Sequence, residues 1–374
     1  PINAPIIEFE TIFKLFETLQ SSACKAKMPY VNLTLDVGAF INAYKVLCNY
    51  PEKFSNVVLN LGDFHFMKEL LGIIGKLVCG SGFEDIIFQA EVCSTGSLNG
   101  VLSGSHYNRG WTVHNVMVEA LSRLSFDLFL STGHKIPECI TNTCEIQTYR
   151  EKNCTDLSKD DKFQAFLHKY EEFQQNVRDG KYGKTAQFWQ LYYIDVISML
   201  HQIHYSVQTN NYDLRLDGLE KTLPLFFALN KQNYARYASI YVNTLSQLEG
   251  VFPGCKDLLV KKGLSVQSQD RYPLRIPIDQ RDEQTINRDA KTSGGIKFFV
   301  SDSNSILKWT LNRPYQAQNT EALYKMADLN HANDDYKASR PSQILKSEKH
   351  VKNLIKVLTN DFVNPFDTDI DKDK

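Results

Sequence analysis

Long hydrophobic runs are missing from this sequence. Lys, Asp or Glu interrupts every apolar stretch well before eighteen residues, so a membrane-spanning helix is not expected. The opening Pro1-Ile-Asn-Ala-Pro5 lacks the basic and apolar regions of a secretory signal. Net charge is nearly absent too: 42 Lys and Arg against 43 Asp and Glu give −1, so no global basic signature points to nucleic acid. There is no P-loop, no GxGxxG and no GxSxG, which removes the main support for kinase, dinucleotide-binding and α/β-hydrolase chemistry. Gly80-Ser-Gly82 follows a helical pattern rather than a strand and reads as a loop.

What is present is a chain of 374 residues, 43% hydrophobic and 11% aromatic, able to bury a large core. Its eight cysteines are scattered, several within apolar patterns such as Val46-Leu-Cys48 and Leu77-Val-Cys79. Free thiols in a reducing compartment, nuclear or cytoplasmic, are expected rather than a disulfide framework. His134, Cys139, Cys144 and Cys154 leave a zinc site open as an alternative, although the spacing matches no standard knuckle. His201 and His204 stand i, i+3 on a helix without the metalloprotease pattern, and a satisfied pair is expected there. Charge is uneven: Lys256–Arg313 holds eleven Lys and Arg against seven Asp and Glu, an ordinary mixed surface or a phosphate-facing patch.

Hydrophobic periodicity predicts a helix over 8–27 and a strand over 30–36, the latter ending at Asp36. A helix over 39–49, a strand over 56–62 and a helix over 63–78 follow, and links this short describe a βαβ unit with a parallel sheet. Helices then dominate at 83–92, 107–130, 159–177, 185–207 and 212–249. A strand signal returns at 264–268, a helix at 279–291 and a last helix at 343–358, before an acidic tail over 367–374. The fold expected is α/β but predominantly helical: a small parallel or mixed sheet with a large all-α insertion. The segments are 1–82 as the N-terminal part of the core, 83–262 as the helical insertion, 263–300 as the return to the core, and 301–374 as C-terminal helices and tail.

Three segments could carry chemistry. Asp36 ends the first strand, at the carboxyl edge where α/β sheets bind ligands. Asp63 follows the second strand, as helix cap or as site acid, with His65 two residues on. Asp279, Asp282 and Glu283 stand at i, i+3 and i+4 on one face, followed by Asn287 and Lys291. Acids there favour the helix dipole, or hold Mg²⁺ through hard oxygen ligands.

Leu33-Thr-Leu-Asp36, Leu61-Gly-Asp-Phe-His65, Gly80-Ser-Gly-Phe83, Ser105-His-Tyr-Asn-Arg109, Ala228–Tyr237 and Asp279–Gln284 together resemble a multi-copy, mobile-element-derived family of animal genomes. That family is in turn similar to RNase H-like DDE transposases and, more distantly, to a fungal domain of unknown function. The resemblance implies a partial RNase H-like core with Asp36 as the second acid of a catalytic triad and Glu283 as the third. Both would be ligands of Mg²⁺, with DNA as partner; Asp63, His65, Asp279, Asn287 and Lys291 would line the site. The first acid of such a triad lies on an earlier strand in an Asp-Asn pair, and no strand pattern precedes the one over 30–36. A transferase or nuclease core with little activity is therefore implied; a non-enzymatic helical interaction domain is the alternative.

Overall fold

A computed structural model describes residues 5–6, 8–138, 159–267, 275–288, 302–326 and 341–367. The protein is a predominantly helical α/β structure, with two small sheets among the described residues. Two compact units share the chain: residues 1–73 with 199–340, and residues 74–198 with 341–374.

The first unit holds both sheets. Strand β1 (Val31–Leu35) and strand β2 (Val57–Leu61) pair in parallel, from Val31 opposite Val57 to Leu35 opposite Leu61. Every residue of β2 is buried, as expected of a strand covered on both faces. Helix α1 (Phe9–Lys25) precedes the strands and helix α2 (Val37–Asn49) connects them, its first turn capped by Asp36, whose Oδ1 accepts from the Ala39 N–H at 2.8 Å. Helix α3 (Asp63–Val78) leaves β2 directly after Gly62.

Aromatic side chains fill the space around the strands. Phe16 meets Phe54 edge-on, Phe40 meets Tyr241, and Phe66 packs against Phe226 and Tyr234. The helices Tyr212–Ala228 and Gln232–Ser246, which periodicity assigns to the insertion, therefore belong to the packing of the sheet. Their deepest tie is polar. Arg215 forks onto Asp63 through Nε, at 2.9 and 3.0 Å, and Nη2, at 2.7 Å, while Nη2 also donates to the Tyr241 hydroxyl at 2.8 Å. Both charged side chains are only 3% exposed. Burial opposes the Arg215 charge, but the Asp63 carboxylate outweighs that and raises the guanidinium above its ordinary range.

The second sheet is a short antiparallel hairpin of β3 (Ser265–Gln267) and β4 (Arg275–Pro277), with Ser265 opposite Pro277. Periodicity predicts β3 but takes Arg275–Pro277 only as the approach to a helix. The helical segment that follows covers Ile278–Asp282 and widens into a π-turn over Glu283–Asn287.

The described residues of the second unit form helices and their connections. His114, in the middle of the helix Tyr107–Ser131, is fully buried, accepts or donates one hydrogen bond with the Tyr193 hydroxyl at 2.9 Å, and stacks on Phe83. Burial pushes its pKa down to about 3. Phe129 gathers Phe166, Tyr170 and Phe173, and two forked ion pairs, Arg178 with Asp195 and Arg123 with Glu348, tie helices together at the surface. No helix among the described residues is long and apolar enough to cross a membrane.

Candidate functional site

A cavity of about 680 Å³ runs along β1, from Tyr30 to Asp36 at its carboxyl end. Asp36 reaches it because β1 ends one residue earlier. His65 reaches it from the first turn of α3, and Asp279, Asp282, Glu283 and Asn287 from the segment after β4. Residues more than two hundred positions apart thus meet in one place, within one compact unit.

Asp279 organises the cluster. Its Oδ1 accepts from the Phe64 N–H at 3.2 Å; its Oδ2 accepts from the His65 N–H at 3.1 Å and lies 3.0 Å from His65 Nδ1. It supplies to α3, from 214 residues away, the cap that such a helix start needs. Gly62 permits this approach: a Cβ there would collide with the Asp279 carboxyl group. His65 in turn places Nε2 3.9 Å from Glu283 Oε1, and Glu283 is also held by Asn287, whose Nδ2 donates to it at 3.0 Å. The hydrogen bond from Asp279 raises the His65 pKa above its ordinary value; partial burial opposes this, and the charges of Asp279, Glu283 and Asp36 reinforce it. The Asp282 carboxyl is raised as well, first by partial burial, with Arg281 opposing and Asp279 and Glu283 adding repulsion.

The structure therefore brings together Asp36, His65, Asp279, Glu283 and Asn287. It does not bring Asp63 with them. That carboxylate is buried on Arg215 and lines a separate small pocket, so it neither caps α3 by its own side chain nor serves the cavity. The expected cap role belongs to Asp279 instead, because a carboxylate offered by a neighbouring segment leaves Asp63 available to neutralise a buried guanidinium. Lys291 lies outside the described residues, as do Cys139, Cys144 and Cys154; His134 stacks on Phe129. His201 and His204 are half-buried, and burial lowers both pKa values, that of His204 to about 4. The five described cysteines are free thiols. Thr34 and Lys261 also line the cavity and have no distinguishing mark in the sequence.

Residues 1–372 match the family described as a domain of unknown function, DUF8702. The chain belongs to this family. No curated protein and no solved structure matches this DUF8702 chain.

Proposed function

We propose that the acidic cavity is the centre of a DDE-type, transposase-derived polynucleotidyl transferase or nuclease core that acts on DNA, with little strand-cleaving activity in this chain. The observation that carries this reading is the meeting of Asp36, at a parallel strand end, with Glu283, on a distant helical segment, beside a single oriented histidine. The resemblance to RNase H-like enzymes implies that these two acids converge, and their place in one shared cavity supports that reading.

Hard carboxylate oxygens on Asp36, Asp282 and Glu283 suit Mg²⁺, which commonly takes one or two protein carboxylates and completes its shell with water and phosphate. Asp279 contributes little to that set, because its oxygens already serve two backbone N–H groups and a ring nitrogen. Among the described residues no three His, Cys, Asp or Glu side chains close on one point as a metal cage. The donors thus fall short of the clustered set that a pair of cations needs, and a single cation would rest on Asp36 and Glu283 with water and phosphate completing its shell. Such a cation, when bound, would polarise a phosphoryl oxygen and acidify a coordinated water. The chain's own groups do the rest: Asp279 fixes the His65 ring and shares the Nδ1 proton, Nε2 can hold a proton near the reacting oxygen, and Asn287 steadies Glu283.

Calorimetric titration with Mn²⁺ tests the centre. Weak binding, lost in both Asp36→Asn and Glu283→Gln, is expected, together with slow or undetectable nicking of supercoiled plasmid. Binding unchanged in both variants would remove the metal reading. Rapid Mg²⁺-dependent nicking abolished by both would instead overturn the low activity inferred from the short ligand set.

One observation favours a second reading, a helical interaction domain. On the helix Ser303–Met326, Leu307, Leu311 and Tyr315 recur every fourth residue, and all three are largely exposed. Loss of a captured protein partner on Leu311→Ser, with Mn²⁺ binding intact, would support it.

A further inference from the structure

The segment 278–287 carries acids on one side and bases on another. Asp279, Asp282, Glu283 and Asn287 line the acidic cavity. Arg281 and Thr285, four residues apart, line a second cavity of about 480 Å³ together with Ser265, Gln267 and Arg275 of the hairpin. Gln267 and Arg275 are directly opposed in the ladder, so the hairpin register itself sets them side by side.

Two features make this groove selective for an anion. Its described lining offers two guanidinium groups, two hydroxyls and an amide, and no carboxylate. Arg275 is also held in place: Nη2 donates to the Lys261 carbonyl at 3.2 Å, while its buried Nε meets no acceptor among the described residues. The hydroxyls are largely committed, Thr285 to the Arg281 carbonyl at 2.6 Å and Ser265 to Asn210 at 3.1 Å. Recognition therefore falls to the two arginines, whose planar forks match phosphate oxygens better than an ammonium does. The chain is locally basic here as well, with eleven Lys and Arg against seven Asp and Glu over 256–313.

We propose that this groove binds the phosphodiester backbone of a nucleic acid, with Arg275 and Arg281 each engaging a phosphate next to the acidic cavity. The choice of a polymer rests on the function proposed above: a strand whose reacting phosphate lies at the acids has neighbouring phosphates that need cationic partners. One helical segment separates the two cavities, so a single strand can serve both.

Fluorescence anisotropy with labelled single- and double-stranded oligonucleotides, between about 50 and 200 mM salt, tests this directly. The full chain should bind with a steep salt dependence. Arg275→Gln/Arg281→Gln should weaken binding at least tenfold at low salt, and should lower the salt slope by about 1.4–1.8, since each phosphate contact contributes roughly 0.7–0.9. Circular dichroism of that variant, matching the parent, secures the comparison. Equal affinity and slope in parent and variant overturn the proposal, as does absence of oligonucleotide binding. Full displacement by millimolar inorganic phosphate, with oligonucleotides binding no better than a mononucleotide, also overturns it by assigning the groove to a small anion. Asp36→Asn/Glu283→Gln separates the two proposals: Mn²⁺ binding unaffected by it sinks the catalytic centre, while oligonucleotide binding that still needs the arginines keeps the groove.

Discussion

Replacing Arg215 by Met should unfold much of the first unit's margin of stability, and the size of the loss can be worked from its contacts. The guanidinium makes two bonds from Nε and one from Nη2 to Asp63, plus one to Tyr241, all between 2.7 and 3.0 Å and at 3% exposure. Met keeps most of the stem volume but leaves a carboxylate without its counter-charge. Breaking one partner of such a pair costs about 3–5 kcal/mol. The hydroxyl of Tyr241 also loses a donor, a contribution that overlaps with the first rather than adding to it. Burial already holds the Asp63 pKa above its ordinary value, with Arg215 opposing the shift, so removing Arg215 should raise it further. A carboxyl raised in this way favours folding below the unfolded pKa, and that advantage is lost as pH rises through the folded value. The deficit of the variant should therefore be larger at pH 8 than at pH 5. Urea unfolding followed by circular dichroism at both pH values reads this out. Asp63→Leu/Arg215→Met, which removes both charges, should recover most of the loss. A deficit in Arg215→Met below about 1 kcal/mol, or a double variant no better than the single one, would refute the reasoning.

Three further outcomes follow from the same geometry. Asp279→Ala should cost about 2.5–4 kcal/mol in urea unfolding, by removing a helix cap of about 1 kcal/mol and a charged bond to His65 of about 1.5–3 kcal/mol. Gly62→Ala should destabilise by about 1–3 kcal/mol through its clash with Asp279, and most of that cost should vanish in an Asp279→Ala background. In metal-free buffer, NMR titration of His65 should give a pKa above the ordinary 6.5, falling in Asp279→Asn; its stabilising contribution should be complete below about pH 6.5 and fade as pH rises through the folded pKa, and an unshifted His65 would contradict the pairing.

Much of the fold was open to sequence reasoning because the relevant signals are local. The apolar, β-branched runs of β1 and β2, each closed by an acid or a glycine, declare a parallel pair with short connections. The same logic placed Asp36 at the sheet edge and the acids of 279–283 on one helical face, and the two do share a cavity. What escaped depends on partners distant in sequence. Nothing near Asp63 announces Arg215, 152 residues later, so a buried ion pair looked like a helix cap. Asp279 looked like an acid favouring its own helix dipole, whereas it caps α3 and orients His65. Gly62 held the only local hint, a residue without Cβ where another segment must come close. The β4 strand was lost because three residues ending in Pro277 are too few to show a period of two.

The cap that Asp279 places on α3 also makes the cavity depend on one long-range contact. The loop it closes spans more than two hundred residues, and closing it carries an entropy cost that the packing must offset. Without that contact, the first turn of α3 keeps unanswered N–H groups and the His65 ring is free to rotate. The same segment delivers Asp282 and Glu283, so losing its packing would remove those acids and the orientation of the histidine together. The shape of the acidic cavity is thus tied to the packing of a segment distant in sequence.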